Sequence, residues 1–170
     1  MAPRGSSSVV AESGGGFTVF IKDGKLHWEH NYYNEVHYRV SSTETIPPGR
    51  HVLSAEVKVD KEGKFGTGGT VTLRLGKKAI GNGRFEKQVA GYFTANEGFD
   101  IGCDTCSPVS ELYESPFAFT GEIIKVMVDV SETTFGNLRH NTRPRRGSRW
   151  RHSEQSSAQS SVRRADFVAK

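Results

Sequence analysis

Phe17-Thr18-Val19-Phe20-Ile21-Lys22-Asp23-Gly24-Lys25-Leu26-His27-Trp28-Glu29-His30 is the stretch that decides the fold. Two runs rich in β-branched and aromatic residues flank Asp23-Gly24. An Asp-Gly pair between such runs marks a tight hairpin, because the turn needs positive φ at its central residues. Odd spacing on a strand sends side chains to opposite faces, so His27 and His30 are not expected to act together.

The period-two alternation continues outward from this hairpin. Val36-His37-Tyr38-Arg39-Val40 reads as a third strand, and Ile46-Pro47-Pro48-Gly49-Arg50 as a break, since neither proline donates to a ladder. Alternation resumes over residues 51–59, with Val52, Ala55, Val57 and Val59 largely sharing the apolar role. A glycine-rich turn follows over residues 63–69. Residues 70–75 then place Val71, Leu73 and Leu75 on one face, and Gly76-Lys77-Lys78 reads as another hairpin turn. Residues 84–89 are the next expected strand, and residues 121–130 the last, with Ile124, Val126, Val128 and Val130 on one face. No stretch offers helical spacing with a cap and a stop signal. Seven or more strands at intervals of roughly 8–12 residues point to an all-β, antiparallel sandwich.

The chain has 170 residues, 35% of them hydrophobic, which suits one modest core plus tails. Its charge is uneven. Residues 17–132 carry 13 Lys/Arg against 16 Asp/Glu, whereas residues 133–170 carry 9 against 2. The basic character therefore belongs to the end of the chain, and the expected folded part is mildly acidic. Residues 1–16 are Ser/Gly-rich without a strand pattern, and residues 133–170 lack the apolar content to fold alone. Both are expected to be disordered tails around a domain at 17–132. Val9-Val10-Ala11 is too short for a signal-peptide core, and nothing approaches the ~20 apolar residues of a membrane helix. The expectation is a cytoplasmic chain with no membrane partner.

Phe99-Asp100-Ile101-Gly102-Cys103-Asp104-Thr105-Cys106-Ser107-Pro108-Val109-Ser110 holds both cysteines and invites a chemical reading. Cys106-Ser107-Pro108-Val109 matches four positions of the sulfatase C-x-P-x-R motif, whose cysteine becomes the nucleophile. The fifth position is Ser110 rather than arginine. The wider order of motifs resembles the C-terminal, non-catalytic region of bacterial arylsulfatases. It runs from Gly15-Gly16 and Lys22-Asp23-Gly24-Lys25 through Asn31-Tyr32, Tyr38-Arg39-Val40 and Ile46-Pro47-Pro48-Gly49-Arg50-His51. It continues with Gly66-Thr67-Gly68-Gly69-Thr70-Val71-Thr72-Leu73, the Asp100–Ser110 run, Phe119-Thr120-Gly121-Glu122-Ile123-Ile124-Lys125-Val126, and Val128-Asp129. The resemblance implies a lectin-like or jelly-roll sandwich appended to a sulfatase α/β domain, with the Phe99–Ser110 run as a loop. It therefore implies no catalytic residue here, and a sulfatase catalytic domain as the partner.

The remaining motifs are weak by their chemistry. Cys103 and Cys106 read as redox-sensitive loop thiols, because a zinc site needs two further ligands and a redox pair should open a helix. Asp100, Asp104, Glu111 and Glu114 are the calcium candidates, on irregular spacing; no metal and no cofactor is expected. The run 63–69 lacks the Gly-Lys-Ser/Thr of a phosphate loop. Trp28, Tyr32, Tyr33, Tyr38, Tyr92 and Phe93 are candidates for stacking on sugars, and Arg39, Arg50, Arg74 and Arg84 for holding sulfate oxygens. Arg143, Arg145, Arg146, Arg149 and Arg151 around Trp150 suit weak, non-specific nucleic-acid binding. The expected function is thus a detached or truncated accessory domain of an arylsulfatase-like sulfuric-ester hydrolase, inactive alone. The alternative is a free-standing lectin-like module for carbohydrate, sulfated glycans included.

Overall fold

A computed structural model describes residues 5–12, 15–61, 66–89, 99–105, 107–133 and 159–170. Twelve strands run through them: β1 (Gly5–Glu12), β2 (Gly15–Lys22), β3 (Lys25–Tyr32), β4 (Val36–Ser41), β5 (His51–Val59), β6 (Gly69–Leu75), β7 (Lys78–Phe85), β8 (Phe99–Asp100), β9 (Cys103–Asp104), β10 (Phe117–Ala118), β11 (Ile123–Thr133) and β12 (Gln159–Ala169). Every ladder is antiparallel. One five-stranded sheet has the order β4-β3-β2-β1-β8, a second has β11-β12-β5-β6-β7, and β9 with β10 forms a small third. The described residues contain no helix, hence none long and apolar enough to cross a membrane.

The Asp23-Gly24 hairpin forms as its chemistry dictates. Lys22 pairs with Lys25, and the two loop residues take φ of 52° and 73°. Strand alternation then sends one set of side chains inward. Val19, Ile21, Leu26, Trp28 and Val40 from the first sheet meet Leu53, Ala55, Val71, Leu73, Ile80, Phe85 and Phe167 from the second in one core. Fully burying a side chain such as Phe167 contributes about 1.5–3 kcal/mol.

At one margin the two sheets are drawn together where β4 packs on β7. A Cβ on Gly81 would sit 2.8 Å from the Ser41 carbonyl oxygen, and one on Gly83 would sit 2.5 Å from Val40 Cγ2. Glycine at these positions is what permits the approach. Between them and the turn, Ile80 bulges out of the β6–β7 register, its side chain buried and its carbonyl accepting from Thr43 N and Oγ1.

Three expectations are corrected. The strand expected over residues 84–89 instead occupies Lys78–Phe85, because Gly76-Lys77 is a two-residue loop that pairs Leu75 with Lys78 at once. The glycines that face β4 hid its alternation. The flexible segment expected over residues 1–16 contains β1, whose backbone pairs with β2 and β8, and the start of β2. The disordered tail expected over residues 133–170 ends in β12, which fills the gap between β5 and β11. Ala165, Phe167 and Ala169 are buried there, while Arg164 faces solvent. Val168 interrupts the period-two pattern of residue types, and arginines, serines and glutamines precede it.

Candidate functional site

The two faces of β3 have different fates. Leu26, Trp28 and His30 line the core between the sheets, while His27, Glu29 and Asn31 project from the other face and are buried as well. Residues 110–117 pack onto that second face, with Ser110, Tyr113 and Phe117 touching Glu29, Thr18 and Phe20 of β2 and β3.

Glu29 is the electrostatic centre of this contact and is 0% exposed. Its Oε1 lies 2.8 Å from His37 Nδ1; its Oε2 accepts from Arg39 Nε at 2.6 Å and from Ser110 Oγ at 2.7 Å. Arg39 is the residue directly opposite Glu29 in the β3–β4 register, so the ladder itself delivers the cation. An ionised carboxylate buried without partners would be very costly; charge-assisted bonds to both oxygens make its burial tolerable. Ser110 Oγ also accepts from Leu112 N, fixing the turn that follows it, and Lys22 Nζ donates to the Leu112 carbonyl.

A second buried node lies beside it. Asp104 is 1% exposed and accepts from Tyr113 OH at 2.6 Å, from Ser115 Oγ at 3.3 Å and from the Val109 backbone. Burial pushes its carboxyl above the usual carboxylate range, and these three bonds oppose the shift. Tyr113 has a single hydroxyl proton, and the short distance assigns it to Asp104; Thr18 Oγ1 stands 3.4 Å away. Burial and the Asp104 carboxylate both push that phenol upward. The Tyr113 ring stacks on Phe117 at 4.3 Å, and Phe20 meets it edge-on at 5.1 Å. The segment is thus held by a stacked aromatic pair between two saturated carboxylates.

Ser110 is 1% exposed and hydrogen-bonded to a carboxylate. Cys103 is half-buried, with its Sγ 3.7 Å from the Asp104 carbonyl, and Cys106 lies outside the described residues. Asp100 Oδ2 accepts from Thr105 N and Oγ1, while Glu111 and Glu114 are exposed. Among the described residues no three His, Cys, Asp or Glu side chains come together as metal ligands.

The arginines do not converge either. Arg39 serves Glu29, Arg74 pairs with Glu56 at 3.2 Å, and Arg84 grips Asp60 at 2.6 Å and Glu86 at 2.9 Å. Arg50 is exposed at the end of the loop before β5. Of the aromatics, Trp28 is core, Tyr38 packs against that core, and Tyr32 and Tyr33 form an edge-on pair at the β3–β4 hairpin. Lys87 Nζ lies 5.7 Å above the Tyr32 ring, and Tyr33 is 45% exposed with φ of 51°. Tyr92, Phe93, the arginines at 143–151 and Trp150 lie outside the described residues.

Sequence reading missed Glu29, His37 and Tyr113 as structural partners. A signal for Glu29 existed, since it is the one acidic residue of β3 and stands between Trp28 and His30. No protein-family model, curated protein or solved structure matches the chain.

Proposed function

We propose that the chain is a non-catalytic β-sandwich of lectin-like, jelly-roll type. It serves as the C-terminal accessory domain of an arylsulfatase-like sulfuric-ester hydrolase and is inactive alone. The observation that carries this reading is the burial of Ser110 against Glu29: where a sulfatase motif would present arginine, this chain has a hydroxyl spent on anchoring a segment to a sheet. The shared core between the two five-stranded sheets supports the sandwich. The order of motifs from Gly15 to Asp129 supports the parent architecture.

The test is reconstitution. An arylsulfatase catalytic domain stripped of its own C-terminal region should co-elute with the full chain and become more heat-resistant, and the chain alone should not hydrolyse a nitrophenyl sulfate. Turnover by the chain alone, abolished by Cys106→Ala, would sink the reading. A second reading, a free-standing carbohydrate-binding module, rests on the exposed Tyr33 beside Tyr32 and Lys87. It requires glycan-array binding that Tyr33→Ala removes, with no co-elution.

A further inference from the structure

Of the sheet margins, one is long and uncovered among the described residues. The β4 and β7 margins pack on each other, and at the other margin of the first sheet β1 is paired with β8 over Val9–Val10 and contacted by β9 and β10. At the remaining margin, β11 pairs only with β12. Exposed edges of this kind are templates for further strand pairing unless something blunts them. On β11, Ile124 is 43% exposed, Met127 51% and Val128 36%, and neither proline nor glycine interrupts the strand.

The edge also has a self-complementary text. Register shifts after Ile123 and after Asp129 leave Lys125-Val126-Met127-Val128-Asp129 as the regular stretch, paired with Val168 through Arg164 on β12. If two copies of this stretch meet antiparallel about a two-fold axis through Met127, each Lys125 stands opposite Asp129 of the other copy. Each Val126 stands opposite Val128. Residues opposite in an antiparallel pair share a face, so both Lys–Asp pairs lie with Met127 on the outer face, and the valines continue the inner one. Inside its own sheet Lys125 faces Val168, an apolar neighbour, so the second copy supplies the carboxylate opposite it. No other centre within the regular stretch pairs unlike charges in this way.

We propose that β11 is a homodimerisation edge: two copies pair antiparallel about Met127, joining their second sheets into one continuous sheet. The contact is isologous and closes on itself, so it yields a dimer and not a fibre. Sedimentation velocity on the full chain should show a concentration-dependent monomer–dimer equilibrium at micromolar protein. Lys125→Asp and Asp129→Lys should each weaken association by about tenfold, since each replaces two attractive pairs by two repulsive ones. Both residues are exposed, and circular dichroism melts establish that each variant folds. The double variant should recover dimerisation, and the two single variants mixed together should form a heterodimer. A wild-type chain that stays monomeric into the millimolar range overturns the proposal. So does a dimer that both single variants leave intact, which would place the contact elsewhere.

Discussion

His30 is expected to make this protein sensitive to mild acid, because its ring is accommodated neutral and not charged. The imidazole is 5% exposed and stacks between Trp28, at 6.1 Å, and Tyr38, at 6.5 Å. Its Nε2 accepts from Val89 N at 3.3 Å, and its other bond, to the Gly16 backbone, is one that favours a proton on the ring. Both nitrogens are used in the neutral form, and a second proton on Nε2 would point at an N–H. Burial accordingly pushes the pKa from 6.5 down to about 4. In the unfolded chain the ring takes up its proton near 6.5. The stabilisation is therefore complete above pH 6.5, declines as pH falls, and is lost below about 4. At about 1.4 kcal/mol per pH unit the whole excursion amounts to about 3 kcal/mol, a large share of the 5–15 kcal/mol typical of a domain. The assay is urea denaturation at half-unit steps from pH 7.5 to 4 (~8 curves) for the wild type and His30→Gln. Glutamine retains a donor and an acceptor but does not titrate, so it lowers stability at every pH through lost ring packing and flattens the slope. Burial lowers the pKa of His27 too, while Asp104 is shifted upward and acts in the opposite sense; both cancel in the difference between the two profiles. Parallel profiles for the two proteins between pH 6.5 and 4 would refute the reasoning.

Three further outcomes are expected. Ser110→Ala leaves Glu29 short of one donor and Leu112 N without its acceptor, and should cost about 1–3 kcal/mol in chemical denaturation; Ser110→Arg, which restores the sulfatase motif, should prevent folding altogether. Phe167→Ala empties a fully buried site at the junction of both sheets and should cost about 3–5 kcal/mol, read from the shift of the denaturation midpoint. Gly83→Ala forces a methyl against Val40 and should destabilise by about 1–3 kcal/mol, whereas Gly76→Asn, in a turn with nothing within 4 Å of the added Cβ, should be nearly neutral by the same measurement.

Local chemistry was legible and long-range chemistry was not. The hairpin at Asp23-Gly24 could be read because its turn type and both flanking runs lie within fourteen residues of each other. Strand β7 was displaced in the reading because Gly81 and Gly83 answer to β4, a neighbour that its own sequence does not mention. Strand β12 is hidden by the basic, polar composition before it, and Val168 breaks the apolar/polar alternation that the burial of Ala165, Phe167 and Ala169 follows. At the candidate site, the Phe99–Ser110 run is expected as a loop, whereas Phe99–Asp100 and Cys103–Asp104 are short paired strands. Its contact with β3 is not legible either, since Ser110 and Glu29 stand 81 positions apart and nothing local predicts that they touch. Arg39 was singled out for an external sulfate and proved to face an internal carboxylate, a choice made by register alone.

The insertion of β12 between β5 and β11 sets the order in which the chain can mature. Glu56 must wait for Arg164, on the order of a hundred residues later in synthesis, before its strand acquires that neighbour. Until then β5 is a bare edge and β11 has no strand to pair with. A chain truncated after residue 133 would carry a bare β5 edge, a β11 strand without its partner and an unfilled place for Phe167. For β5, the window of vulnerability to misassembly is the time taken to translate from its own end at Val59 to that of β12 at Ala169.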